Sequence, residues 1–160
     1  MTQKNDLNSQ ASRCSCTTLR KASRRISQLY DAALAPSGLK TTQRAILAQI
    51  SRCESTTVGG LAEALVMDAG ALAHTLKPLE RDGLVSIAVD REDRRNRVVR
   101  LTPAGRTRLA ESEMLWENAQ RGFEAAFGHV KSEALRGAMR FLISGEFTRH
   151  FEKAIASSEP

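Results

Sequence analysis

The stretch from Thr57 to Thr102 constrains the fold of this chain more than any other. Val58, Leu61 and Leu65 recur at the spacing of one helical face, with Thr57 placed to cap them. A tight turn comes next. Asp68 then offers an N-cap carboxylate to a second helix, which ends before Gly83, a residue suited to a left-handed C-terminal cap. In that helix Leu72, Leu76 and Leu79 fall at i, i+4 and i+7, so they face a core and leave Gly70, Ala71, His74, Lys77 and Arg81 on the opposite side. Ala69, Gly70, Ala71 and Ala73 keep its first turns slim. Pro78 lacks the N–H of an internal helical residue and predicts a bend. By themselves these two helices also fit an ordinary helical hairpin with a solvated basic face.

The segment after the second helix separates these two possibilities. Leu84 to Val89 is short, apolar and β-branched, and Arg97 to Thr102 has a similar character. Between them lies the polar turn Asp90-Arg-Glu-Asp-Arg-Arg-Asn, so the segment predicts a β-hairpin. Arg91, Arg94, Arg95, Arg97 and Arg100 outnumber Asp90, Glu92 and Asp93. A tip of that charge can lie along phosphates or enter a narrow, electronegative minor groove. A charged hairpin tip is usually plain soluble surface, but behind two helices of this pattern it implies a helix-turn-helix with a wing. The slim end of the second helix then brings backbone and alanine methyls close to base edges in the major groove.

The segment resembles the winged helix-turn-helix of the MarR family of bacterial transcription regulators. The residues that carry the resemblance are Leu76-Lys-Pro-Leu-Glu-Arg-Asp-Gly-Leu-Val, Asp93-Arg94-Arg95 and Leu101-Thr-Pro-Ala-Gly105, and it extends from about Cys16 to Phe151. In that family the wing motif is similar to Asp-x-Arg-Asp-x-Arg, its last Asp orienting its last Arg toward the minor groove. The resemblance thus implies that Asp93 is the orienting carboxylate and Arg95 the groove residue, with Arg94 beside them. Glu92 departs from the motif, standing where the family usually has Arg.

At 160 residues the chain suffices for one domain with a real core. Its 24 Lys and Arg against 18 Asp and Glu, a net charge of +6, favour a polyanionic partner. Met1 to Ala11 is polar and reads as a loose arm without a signal or anchor-like run, so the expected location is cytoplasmic and away from membranes. From about Arg13 to Ala35, Leu19, Ala22, Ile26, Leu29 and Ala33 predict an amphipathic helix ended by Pro36-Ser-Gly38. Thr41 or Thr42 can cap a second, carrying Ala45, Ile46, Ala48 and Ile50. After the wing, Thr102-Pro103 starts a long helix that Gly128 closes, and a last helix spans roughly Ser132 to Ile155.

The expected organisation is therefore mainly α with a small β-hairpin wing. An arm at 1–11 precedes an N-terminal dimerisation helix at 12–39, a DNA-binding region at 40–102 and C-terminal dimerisation helices at 103–156. The terminal helices carry more apolar surface than a small winged domain covers, which predicts a twofold dimer. Such a dimer suits palindromic double-stranded DNA with half-sites about 10 base pairs apart. MarR-family proteins likewise dimerise through their terminal helices.

Three cysteines in one chain argue against a disulfide framework and leave thiol chemistry open. Cys14-Ser-Cys16 sits at the start of the first helix, where unpaired backbone donors and Arg13 and Arg20 favour a thiolate. The peroxide-sensing branch of the MarR family has its reactive cysteine here, and its separation from a later tyrosine equals that from Cys16 to Tyr30. The resemblance implies Cys16 as sensor and Tyr30 as its hydrogen-bond donor, with peroxide as effector. Arg20 and Thr41 replace that branch's other sensor tyrosines. Small residues packed at a dimer interface remain the alternative for the cysteines, and Cys53 reads as a loop thiol. The other candidate effector is a small aromatic carboxylate of the kind the family binds, with Tyr30, Arg20 and Arg24 as contacts.

Catalysis has little to stand on. There is no Cys-x-x-Cys pair, His74, His129 and His150 lack metal-ligand spacing, and no cofactor motif is visible. The expected function is a DNA-binding regulator, a repressor in sign. An architectural DNA binder without a fixed site, or a thiol-based redox enzyme, are the alternatives.

Overall fold

A computed structural model of the chain describes residues 13–91 and 93–157. The expectations for the arm at 1–11 and for Glu92 lie outside the described residues. The elements run α1 (Ser15–Leu34), a 3-10 turn (Ala35–Ser37), α2 (Thr41–Cys53), β1 (Ser55–Thr57), α3 (Val58–Ala64), α4 (Ala69–Arg81), β2 (Val85–Val89), β3 (Arg97–Leu101), α5 (Pro103–Glu111), α6 (Glu113–Phe127), α7 (His129–Leu142) and α8 (Gly145–Ala156). The chain divides into two compact units, one up to Ala119 and one from Gln120.

The first unit contains the core. Ile46, Leu47 and Ile50 of α2 meet Leu61 of α3, the leucines of α4, and Val85, Val99 and Leu101 of the sheet, all buried. The sheet has three antiparallel strands in the order β1-β3-β2, with Ile87 opposite Val99 and Thr56 opposite Val99 on the other side. The expected hairpin is present and a third strand joins it. Ser55-Thr-Thr57 carries no apolar alternation, so its place is set by pairing with β3 and not by its own pattern.

Three expectations about local structure are corrected. Cys53 is the last residue of α2, not a loop thiol, and its sulfur lies 3.8 Å from the Gln49 side-chain amide. Neither Thr41 nor Thr42 caps α2: Lys40 is the N-cap, and the Thr41 N–H donates to Asp31 of α1 at 2.7 Å. A carboxylate there also faces the positive end of the helix dipole. The long helix after the wing is two, broken at buried Ser112, whose hydroxyl donates to the Leu109 carbonyl at 2.6 Å. A serine bonding back to its own helix bends it.

Arg44 of α2 is almost wholly buried in this unit. It donates to Glu113 at 2.6 Å, and its guanidinium lies over the Trp116 ring, 4.5 Å from the centroid. Desolvated cations persist only with such partners.

The second unit holds the rest of α6 with α7 and α8. The expected last helix is also divided: Ser144 accepts from the Phe147 N–H at 3.2 Å and caps α8. Glu124 gathers Gln120 at 3.1 Å and Arg136 at 2.9 Å, and these two hydrogen bonds, in that order, hold its carboxyl below the usual range. Among the described residues of this unit no apolar side chain is fully buried, and Val130, Ile143, Phe151 and Ile155 are each more than half exposed. Among the described residues of the whole chain, no helix is long and apolar enough to cross a membrane.

Candidate nucleic-acid interface

Helix α3 starts where Thr57 accepts the Gly60 N–H at 3.0 Å, and α4 where Asp68 accepts the Ala71 N–H at 2.8 Å. Both are the caps their residue types predict. Leu72, Leu76 and Leu79 are buried, which turns Ala69, Gly70, Ala71, His74, Lys77 and Arg81 to solvent. Pro78 remains inside α4, its ring taking the place of the donor to the His74 carbonyl. Arg81 differs from its neighbours. Its guanidinium donates to Asp82 at 2.9 Å, and that bond raises its already high pKa.

The end of α4 is tied to the base of the wing. Gly83 has φ 70°, its N–H donating to the Glu80 carbonyl while the Leu84 N–H reaches the Leu79 carbonyl at 2.8 Å. Thr102 donates its hydroxyl to the Gly83 carbonyl at 2.6 Å and its N–H to the Leu84 carbonyl at 3.2 Å. The same hydroxyl accepts the Gly105 N–H and caps α5. Gly105 packs directly on Leu84, where a Cβ would stand 1.9 Å from the carbonyl oxygen.

At the tip, Asp93 organises backbone. Its carboxylate accepts the Arg95 N–H at 3.0 Å and the Asn96 side-chain amide at 3.1 Å, and its carbonyl accepts the Asn96 N–H at 2.9 Å. Asp93 thus positions Arg95 through the Arg95 main chain, while the Arg94 and Arg95 side chains extend into solvent. Asn96 completes this turn. It was legible only as a polar loop residue, because its side-chain amide bonds back to the Asp93 carboxylate three residues earlier, a contact that its residue type alone does not specify.

The α1 candidates lie elsewhere in the first unit. Cys14 is the N-cap residue of α1, and both it and Cys16 are exposed. Interaction with the Thr17 hydroxyl, then with the Thr17 N–H, holds the Cys14 thiol below its ordinary pKa. Cys16 and Tyr30 share α1. Fourteen residues of helix separate them by about 21 Å, so a bond between them requires a second copy of the chain. Arg20 and Arg24 stand one turn apart and exposed, whereas Tyr30 is half-buried and about 120° round the helix from Arg24, so one chain does not bring the three together.

Residues 39–96 match the MarR family model. The chain is 36% identical over 97 residues to the transcriptional activatory protein BadR of Rhodopseudomonas palustris. That match covers 58% of this chain and 51% of BadR, so it spans about half the length of that curated relative. The transcriptional regulator MosR of M. tuberculosis, solved in complex with DNA, superposes with a TM-score of 0.74 at 32% identity, over 91% of this chain and 99% of that one. A mutant of E. coli MarR complexed with operator DNA gives a TM-score of 0.71 at 20% identity, over 79% and 91%, a likeness of fold. The expected winged helix-turn-helix is the observed one, and its relatives are regulators and not enzymes. This chain belongs to the MarR family of transcription regulators.

Proposed function

We propose that two copies of this chain bind a palindromic operator, each placing the first turns of α4 in the major groove and the arginines of its wing tip in the adjacent minor groove. The observation that carries this reading is the join at Gly83 and Thr102, which holds a slim, exposed helix and an arginine-rich turn as parts of one rigid unit. The DNA-bound MosR structure supports it by likeness. Pairing through the terminal helices is supported by the second unit, where no apolar side chain among the described residues is fully buried. Arg81, held by Asp82, is a weaker base contact than His74 or Lys77.

The proposed action is repression by occupying a promoter, although BadR carries the name of an activatory protein. The proposed effector is a peroxide acting on the thiols at the start of α1. The thiolate of Cys16, the sensor that the resemblance implies, attacks the peroxide O–O bond, giving a sulfenic acid and releasing hydroxide or the alkoxide. Oxidation weakens DNA binding if the oxidised dimer favours a recognition-helix spacing that fits the operator less well. Selection from a random duplex pool, with and without peroxide, tests both parts. Enrichment of an inverted repeat, lost on oxidation and retained in the Cys14→Ser, Cys16→Ser double variant, is the expected result. Enrichment insensitive to peroxide removes the thiol arm, and no enrichment removes the whole reading.

A further inference from the structure

Helices α3 and α4 end with the same backbone arrangement. In α3 the Val66 N–H donates to the Glu63 carbonyl at 3.1 Å and the Met67 N–H to the Ala62 carbonyl at 2.9 Å. In α4 the Gly83 and Leu84 N–H groups repeat both bonds. This C-terminal motif demands a left-handed residue, and φ is 70° at Gly83 and 51° at Val66. Glycine adopts that conformation freely. Valine, branched at Cβ, is among the residues it strains most.

Among the described residues of the first unit, nothing repays that strain by burying the side chain. Val66 is 68% exposed, while its neighbour Met67 packs against the core and makes the apolar contact the motif normally carries. Val66 stands two residues before Asp68, the N-cap of α4, and so at the end of the helix that leads into the groove. Ala69, Gly70 and Ala71 beside it have no hydrogen-bonding side chains. The apolar feature that base edges present in the major groove is the thymine 5-methyl group. Strained, exposed residues are a mark of functional positions.

We infer that Val66 is a specificity-determining residue whose isopropyl group packs on a thymine methyl of the half-site. The inference rests on the reading of α4 as the helix that enters the groove. The test replaces each thymine of the selected duplex in turn by deoxyuridine, which deletes one methyl, and measures binding by wild type, Val66→Gly and Val66→Asn. Wild type loses about three- to fivefold at one position, the worth of one buried methyl. Both variants lose that distinction there, and Val66→Gly, relieved of strain, melts at an equal or higher temperature than wild type. Variants that keep the full distinction at every thymine, or a wild type that makes none, overturn the inference. A wild type that selects no duplex overturns the groove reading itself, and this inference with it.

Discussion

The Thr102 hydroxyl lies 2.6 Å from the Gly83 carbonyl, so one side chain joins the end of α4 to the strand that leaves the wing. It also caps α5 through Gly105. Thr102→Val keeps the shape and removes both bonds. It is expected to cost about 1–2 kcal/mol, read as a lower urea midpoint.

Gly105→Ala is expected to cost more. Its methyl would stand 1.9 Å from the Leu84 carbonyl oxygen, and backbone at a strand junction yields less than a flexible side chain. A loss of about 2–3 kcal/mol in chemical denaturation is predicted. A change within about 0.5 kcal/mol would mean that the Leu84 segment moves freely.

Arg44→Ala removes a buried guanidinium together with its contacts to Glu113 and Trp116. Glu113→Gln keeps the ring contact and a neutral acceptor. Denaturation of the two is predicted to rank Arg44→Ala as the more harmful, by about 1–2 kcal/mol, since packing of the arginine stem is lost with the charge.

At the wing, Arg95→Ala and Asp93→Ala are expected to act differently. Arg95→Ala weakens every duplex and lowers the slope of log K against log salt by about 1. Asp93→Ala keeps the slope near wild type but weakens binding, because the carboxylate organises the Arg95 backbone and touches no phosphate in this reading. Fluorescence anisotropy across a salt series separates the two.

The lowered Cys14 pKa predicts its reactivity with pH. A thiol held below its ordinary value is thiolate over a wider range, so alkylation at neutral pH, read by mass spectrometry, labels Cys14 faster than an unstructured cysteine peptide. Thr17→Val removes the leading cause, and the pH at which Cys14 labelling is half-maximal rises.

The bounds of α4 were legible because Asp68, the leucine spacing and Gly83 all act locally, within one helix. The breaks at Ser112 and Ser144 were not, since both lie inside continuous apolar periodicity and depend on hydroxyl-to-backbone bonds that the pattern does not encode. Strand β1 and the Asp31 cap on α2 depend on partners distant in sequence. The site divides the same way. The exposed residues of α4 and the wing were readable from periodicity and charge. The mode by which Asp93 holds Arg95, and the strained turn at Val66, required the backbone itself.

Hydroxyl-radical footprinting on the selected duplex tests the central claim most directly. Two protected patches centred about 10 base pairs apart are predicted, each flanked by a minor-groove protection that disappears with Arg95→Ala. A single patch, or flanking protection that survives the loss of Arg95, would contradict the account.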